Sequence, residues 1–244
     1  MTFPTVIDFM ALYTTGAVQA YDTEAQIRRT IVKAVNDTNQ AFVNSRIPVT
    51  LRLVYMGKEK YAETGNVETD WKRLVTPNDG WLDDVQALRN RYGADLVSLV
   101  VGDANGLLNG VGSQLLTPGP TGNANAAYSV VDAAWAGSPD YVLAHELGHN
   151  LGAAHEVGND SGPIFSPDAH GYRFTARGTT YHDIMSYGPG ITIPYFSNPA
   201  VTYLGVPTGN LETADWARVI SINAPIMADY EPTVVSWKTP PLTA

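Results

Sequence analysis

The chain predicts a mixed α/β (α+β) fold built on a mostly parallel, twisted sheet, and three observations carry that expectation. Apolar runs of strand and helix type alternate through the first hundred residues. Strand, helix, strand, helix, strand in that order implies right-handed crossovers and a parallel sheet. The run at 94–101, ADLVSLVV, is apolar almost throughout, as a central strand covered on both faces should be. Beyond residue 155 the texture changes to Gly- and Pro-rich loop, which predicts an irregular C-terminal subdomain.

In order along the chain, 5–13 (TVIDFMALY) is rich in β-branched and aromatic residues and predicts a buried strand. Thr23 and Gln26 make a capping-box pattern, and Ile27, Ile31, Val35, Thr38 and Phe42 follow at helical spacing. That helix should run to about residue 44 and stop before Pro48. Val49, Leu51, Leu53 and Tyr55 alternate with Thr50 and Arg52, a half-buried strand. The polar stretch 57–79 gives no clear assignment. Leu82, Val85, Leu88 and Tyr92 predict a helix over 81–92, ended by Gly93. The loop 102–112 lacks the G-K-[ST] ending and the G-x-G-x-x-G spacing of phosphate-binding loops and reads as a plain surface loop. Short strands are expected at 112–116 and 126–133, with a Pro/Gly/Asn turn between them. Asn210 can cap a last helix with Leu211, Ala214, Val219 and Ile222 inside, and Pro225 ends or kinks it. Residues 231–244 are Pro-rich and read as a tail.

With 244 residues, 44% hydrophobic and 16% charged, the chain can bury one substantial core and resembles no disordered protein. We expect one domain over 1–230, divided near residue 152. A net charge of −9 and the lack of a basic run predict no nucleic-acid partner. No apolar run approaches 18 residues, so no membrane span is expected. Cysteine is absent, which a core of this size tolerates.

Function is written at 141–156, YVLAHELGHNLGAAHE. Four residues along a helix advance about 400°, so His145 and His149 lie about 40° apart on one face and about 6 Å along the axis. Two imidazoles so placed can share a metal ion. Leu143, Leu147 and Leu151 point the other way and should anchor the helix in the core. Ser138 is the expected N-cap, Pro139 suits the first position and Asp140 the first turn. Gly152 should end the helix in the left-handed conformation and return His155 to the metal. Three imidazoles with an open fourth position describe a catalytic zinc site rather than a structural one. The plain alternative is a buried helix whose histidines satisfy core hydrogen bonds; three of only five histidines at fixed spacing, with Glu146 and Gly152 also in place, weigh against it.

The motif H-E-x-x-H-x-x-G-x-x-H, followed by Asp183-Ile184-Met185-Ser186-Tyr187, resembles the metzincin zinc endopeptidases. The flanking sequence is most similar to the bacterial reprolysin-like peptidases, relatives of the adamalysins that include the peptidyl-Asp metalloendopeptidases. That resemblance implies a metzincin-like zincin fold with an antiparallel edge strand above a cleft. It implies a zinc-dependent endopeptidase in which His145, His149 and His155 hold one Zn2+ and Glu146 activates a zinc-bound water for attack on an internal peptide bond. Met185 would form an apolar floor beneath the site. Tyr187 stands where astacin- and serralysin-like enzymes carry a tyrosine that can bind zinc or hydrogen-bond the tetrahedral intermediate; adamalysins have proline there. Tyr187 reads equally well as a packed tyrosine with its hydroxyl satisfied elsewhere. Ser113, Gln114, Leu115 and Leu116 would pair with a protein or peptide substrate in extended conformation.

Glu156 replaces the aspartate usual in adamalysins and is expected to be structural, while His170 and His182 have no ligand spacing and read as loop histidines. Arg173 and Arg177 could favour an acidic substrate side chain. Acidic loops near Asp79 and Asp160 offer oxygen ligands of the kind calcium takes, but no EF-hand spacing supports a Ca2+ site. A secreted, monomeric mature enzyme is expected, since MTFPTVIDFM has no signal-peptide pattern and an unrestrained endopeptidase would endanger a cytosol. Two other classes stay open at this stage: a non-catalytic zinc-scaffolded binding or adhesion module, and a zinc amidase acting on cell-wall peptides.

Overall fold

A computed structural model describes residues 4–105, 108–117, 127–159 and 162–234. Its centre is a five-stranded sheet made from β1 (Thr5–Tyr13), β2 (Val49–Lys58), β3 (Leu96–Val101), β4 (Gly110–Gly112) and β5 (Tyr128–Asp132), in the spatial order β2-β1-β3-β5-β4. The first four neighbours run parallel, and β4 pairs antiparallel with β5 at the edge. β1 and β3 occupy the middle and are buried on both faces, as their mostly apolar runs require, with Asp8 and Ser98 the polar exceptions. β2 was expected to be half-buried. It is buried nearly throughout, because α2 (Glu24–Asn44) covers the face that carries Leu51 and Leu53 while Arg52 turns inward to a partner.

That partner is Asp8. The guanidinium of Arg52 donates to both carboxylate oxygens at 2.6 and 2.8 Å, and Asp8 is 1% exposed. The pair ties β1 to β2 in the interior, beside buried Asp95, whose carboxylate accepts from the Asp8 backbone N–H at 2.7 Å.

α2 begins as expected: Thr23 accepts from the Gln26 backbone N–H, and Ile27, Ile31, Val35, Thr38 and Phe42 are buried. Two helices had no legible pattern, α1 (Thr15–Ala20), capped by Thr14, and α3 (Val67–Val75), capped by Asn66 within the unassigned polar stretch. α4 spans only Val85–Tyr92, because residues 79–84 form turns around the side chains of Asp79 and Asp83. α5 is Val142–Asn150. The C-terminal subdomain is less irregular than expected: β6 (Arg173–Ala176), β7 (Thr179–His182) and β8 (Ile191–Thr192) form a small sheet, and β9 (Thr202–Tyr203) and β10 (Val206–Pro207) a hairpin.

The last helix, α6 (Trp216–Met227), is capped by Asp215, not Asn210. Asn210 instead accepts from the N–H groups of Glu212 and Thr213 in a separate turn, where Leu211 is exposed and Ala214 buried; within α6, Val219 is buried and Ile222 exposed. Pro225 lies inside α6. Of the tail, residues 231–234 are described; Glu231 donates its N–H to Asp95 at 3.2 Å and faces Arg89.

Removing one member of the buried Asp8–Arg52 pair leaves an uncompensated charge, which in other proteins costs about 3–5 kcal/mol. Arg52→Ala should therefore lower the unfolding free energy by about that amount in urea titration. A loss below 1 kcal/mol would mean that Asp8 is solvated rather than sealed in the sheet.

Candidate metal centre

α5 runs beneath β4 and β5 and carries His145, Glu146 and His149. Its start differs from expectation. Ser138, Pro139 and Asp140 lie in a turn closed by hydrogen bonds to the Gly137 carbonyl, and Ser138 is occupied by Asp37 and Lys33 of α2. The helix is entered through Tyr141 at φ 58°, and the carbonyls of Trp135 and Ala136 receive the first helical N–H groups. Leu143, Leu147 and Leu151 are at most 2% exposed, the anchoring face the spacing predicted. At the far end Gly152 has φ +91°, a conformation glycine adopts without strain, and the reversal brings His155 back towards the helix.

The three imidazoles converge through their Nε2 atoms, separated by 3.2, 3.2 and 2.9 Å. Backbone carbonyls set two of the rings. His145 Nδ1 donates to the Ile184 carbonyl at 2.7 Å and His149 Nδ1 to that of Ala153 at 3.0 Å. A carbonyl can only accept, so Nδ1 carries the proton and Nε2 presents a lone pair. His170, buried beside the site, holds the backbone of His155 through its carbonyl at 2.7 Å.

Burial lowers the His145 pKa to about 4 and that of His149 well below the usual value, with neighbouring imidazoles adding to the effect. The rings are thus neutral, the state a metal needs. Lone pairs this close repel unless a cation lies between them. Tetrahedral ligands at a zinc–nitrogen distance of 2.0–2.1 Å would stand about 3.3 Å apart, close to the observed separations. The donor set fits a divalent ion, and among the described residues this is the grouping that could hold one.

Glu146 is 5% exposed. Burial raises its pKa to about 8, opposed by a backbone hydrogen bond with Gly112; a divalent cation nearby would draw it down again. Its carboxylate lies against β4. A Cβ on Gly110 would come 2.7 Å from Glu146 Oε1, and one on Gly112 would come 2.6 Å from the Glu146 carbonyl. The strand expected at 112–116 thus starts two residues earlier, at Gly110, and the G-x-G alternation at a strand edge is the sequence signal of that close approach.

The segment Ser113 to Leu116, expected as the edge strand, lies beyond β4. Its backbone is taken up elsewhere: Asn150 donates to the Ser113 carbonyl at 2.9 Å, and Leu115 N–H bonds the His149 carbonyl at 3.0 Å. Gln114 donates to the Ala153 carbonyl that also orients His149. The free edge of the sheet is therefore Gly110–Gly112, and Ser113, Gln114 and Leu115 brace the histidine helix.

The turn 183–187 passes under α5. Gly148 permits the approach: a Cβ there would lie 2.5 Å from Met185 Sδ. A glycine inside a helix is itself a signal of close packing, one the sequence reading did not use. Asp183 shapes the turn by accepting from Met185 N–H at 3.1 Å and Ser186 Oγ at 2.8 Å, and burial lifts its pKa to about 7. Tyr187 places its hydroxyl 3.1 Å from His145 Nε2 and 2.9 Å from His155 Nε2, on the solvent side of the triad. Glu156 pairs with Arg173 and accepts from Asn159 at 2.8 Å, so Arg173 is engaged rather than free. Arg177 sits exposed in the β6–β7 turn.

A cavity of about 640 Å³ opens at His145 and His155, and Gly110, Glu146, His182, Tyr187 and Thr192 are among its lining residues. Asp160 lies outside the described residues.

Comparison with known proteins agrees with this centre. Residues 3–214 match the family model described as Metallo-peptidase family M12B Reprolysin-like. The chain belongs to this family. Reprolysin-like relatives include the peptidyl-Asp metalloendopeptidase of Xanthomonas campestris pv. campestris, 36% identical over 225 residues, covering 89% of this chain and 50% of that protein. The protein of the same name from Stenotrophomonas maltophilia is 34% identical, covering 89% and 51%. The chain thus spans about half the length of the curated relatives it matches. In shape it is similar to a solved chain described as "Structure of a chaperone-substrate complex", with a TM-score of 0.75 at 20% identity, covering 95% of this chain and 36% of that one. That likeness speaks for the fold alone.

Loss of one imidazole from the triad should weaken metal binding. His155→Ala is expected to raise the dissociation constant for zinc by at least about 100-fold in competition with a chromogenic chelator, with the circular dichroism of the fold kept. An unchanged affinity would remove His155 from the ligand set.

Proposed function

We propose that the chain is the catalytic part of a zinc-dependent endopeptidase that hydrolyses internal bonds of extended polypeptides. The observation that carries it is the convergence of three Nε2 atoms next to a buried Glu146 carboxylate, with His145, His155 and Glu146 lining one open cavity. His145, His149 and His155 would hold the ion. When bound, zinc supplies Lewis acidity, polarising a carbonyl oxygen and making nearby water acidic enough to ionise near pH 7.

The protein's own groups then have distinct tasks. Glu146 takes a proton from the water that attacks the scissile carbonyl and delivers it to the departing amide nitrogen. Gly110 and Gly112 keep β4 close enough to fix that carboxylate, and the open edge of β4 is available to pair with the substrate backbone. Tyr187 presents a phenol donor where negative charge develops on the carbonyl oxygen. Met185 and Asp183 support the site from below.

The aspartyl preference named in the relatives is part of the proposal for this chain, as is action outside the cell as a monomer. A purely structural metal site would have no use for a buried glutamate beside its ligands, which disfavours a non-catalytic module.

Glu146→Ala should keep the fold and stoichiometric zinc and lose peptide hydrolysis by about 10³-fold, within the range that one positioned general base contributes. A fluorogenic peptide assay with and without chelator measures this; a zinc-loaded variant of unchanged rate would exclude Glu146 from the reaction. Tyr187→Phe should lower kcat by about 10–100-fold with little change in KM, the pattern of a donor used only in the transition state.

A further inference from the structure

The open edge of the sheet has two faces, and the metal centre uses one of them. Hydrogen bonding shows which groups of β4 point where. The Asp132 N–H bonds the Asn109 carbonyl at 2.8 Å, and the Ser113 N–H bonds the Tyr128 carbonyl at 3.0 Å. Between them Gly110 stands opposite Val131, Val111 opposite Val130 and Gly112 opposite Ser129. Bonded and non-bonded pairs alternate in an antiparallel ladder, so Gly110 and Gly112 turn their main-chain groups away from β5. The Gly112 N–H accordingly meets the Glu146 carboxylate.

Side chains alternate across a strand as well. The Cβ directions of Gly110 and Gly112 point at Glu146 on α5. Val111 and Ser113 therefore face the other side, where α3 packs on β4 and β5. There Trp71 donates its indole N–H to Ser113 Oγ at 3.0 Å, which fixes the ring beside β4. A cavity of about 180 Å³ lies at this place, lined by Trp71, Val111 and Gly112 with Glu68 and Lys72 of α3. Glu68 and Lys72 are exposed and opposite in sign, so they favour neither a cation nor an anion. None of these five residues lines the cavity at the triad.

We propose that the Trp71–Val111 cavity is a specificity site that receives an apolar side chain of the substrate, from a residue ahead of the cleaved bond. A peptide laid along Gly110–Gly112 continues the sheet, and its side chains fall alternately on the α5 face and the α3 face. The residue opposite Val111 sends its side chain to α3, where the indole and the valine are the surface it covers. The side of the bond follows from strand direction. β4 runs from Gly110, at the triad cavity, to Gly112, at this one. A substrate antiparallel to β4, the more stable pairing, passes Trp71 first and reaches the triad afterwards. An aliphatic or aromatic side chain gains burial here, whereas a charged one gives up water against the indole without a buried partner. This inference rests on the peptidase reading above.

The test uses zinc-loaded protein and a peptide that it cleaves at one bond, identified by mass spectrometry. Each of the three positions before and after that bond is varied in turn among Leu, Phe, Ser and Lys. Wild type should show kcat/KM at least about tenfold higher for Leu or Phe than for Ser or Lys at one position before the bond. Trp71→Ala should reduce that ratio by at least about fivefold, and Val111→Thr, which keeps the shape and strand preference of valine, by at least about threefold. Preferences at the other positions should stay as in wild type. Zinc content and circular dichroism are measured on each variant, and a general loosening of the site would move all positions together. An unchanged ratio in folded, zinc-loaded Trp71→Ala and Val111→Thr would overturn the proposal while leaving the peptidase reading in place. So would a wild type without an apolar preference before the bond, or variants whose effect falls only after it. Wild type that cleaves no peptide in a zinc-dependent way would instead remove the peptidase reading and this inference with it.

Discussion

Three imidazole nitrogens held about 3 Å apart, each offering a lone pair, are the constraint on which the rest of the structure depends. Left to themselves such groups would rotate apart. Here His145 and His149 are bonded to carbonyls at their distal nitrogens, and those carbonyls belong to Ile184 in the turn below and Ala153 just past the helix. The turn at Gly152 and the approach of Met185 under Gly148 are conditions for that geometry. So is the bracing of His149's end of the helix by Asn150, Gln114 and Leu115. A metal ion converts the mutual repulsion of the lone pairs into binding energy, which links the fold's local arrangements to its chemistry.

Electrostatics points the same way. Burial, with the neighbouring imidazoles, lowers the pKa values of His145 and His149 and keeps them neutral, while burial pushes Glu146 up to about 8, which would leave a protonated carboxyl at neutral pH. A divalent cation reverses the second effect while exploiting the first, giving neutral ligands and an ionised carboxylate together. The sheet contributes by ending at this place. Its edge strand is short and carries glycines on either side of Val111, so its backbone can lie directly on the carboxylate, and among the described residues no strand pairs with its outer edge.

The central sheet was legible because its signals are local. β1 and the cap of α2 fall where the β-branched and aromatic run and Thr23 place them, and the apolar run 94–101 contains β3. The metal ligands were legible because helical spacing converts sequence directly into geometry. Where tertiary partners decide, the sequence was mute. Ser138 makes a credible cap, but Asp37 on another helix claims it. Leu116 and its neighbours read as a strand, yet the backbone groups of Ser113 and Leu115 are spent on α5. Leu211 lies in solvent because the helix starts at Asp215 and not at Asn210, and Ile222 because α6 buries the face of Trp216, Ile220, Asn223 and Met227 instead. Arg173 gave no sign of its bond to Glu156, nor His182 of its place in the cavity, because the first contact depends on the backbone bridge between Ala154 and His170 and the second on the small C-terminal sheet.

The central claim is that one ion is held by the Nε2 atoms of His145, His149 and His155. X-ray absorption at the zinc edge of the native protein tests it most directly, combined with elemental analysis. The account predicts one zinc per chain, with three imidazole nitrogens at about 2.0–2.1 Å completed by oxygen. Absence of stoichiometric metal, or a first shell with fewer than three imidazoles, would contradict it.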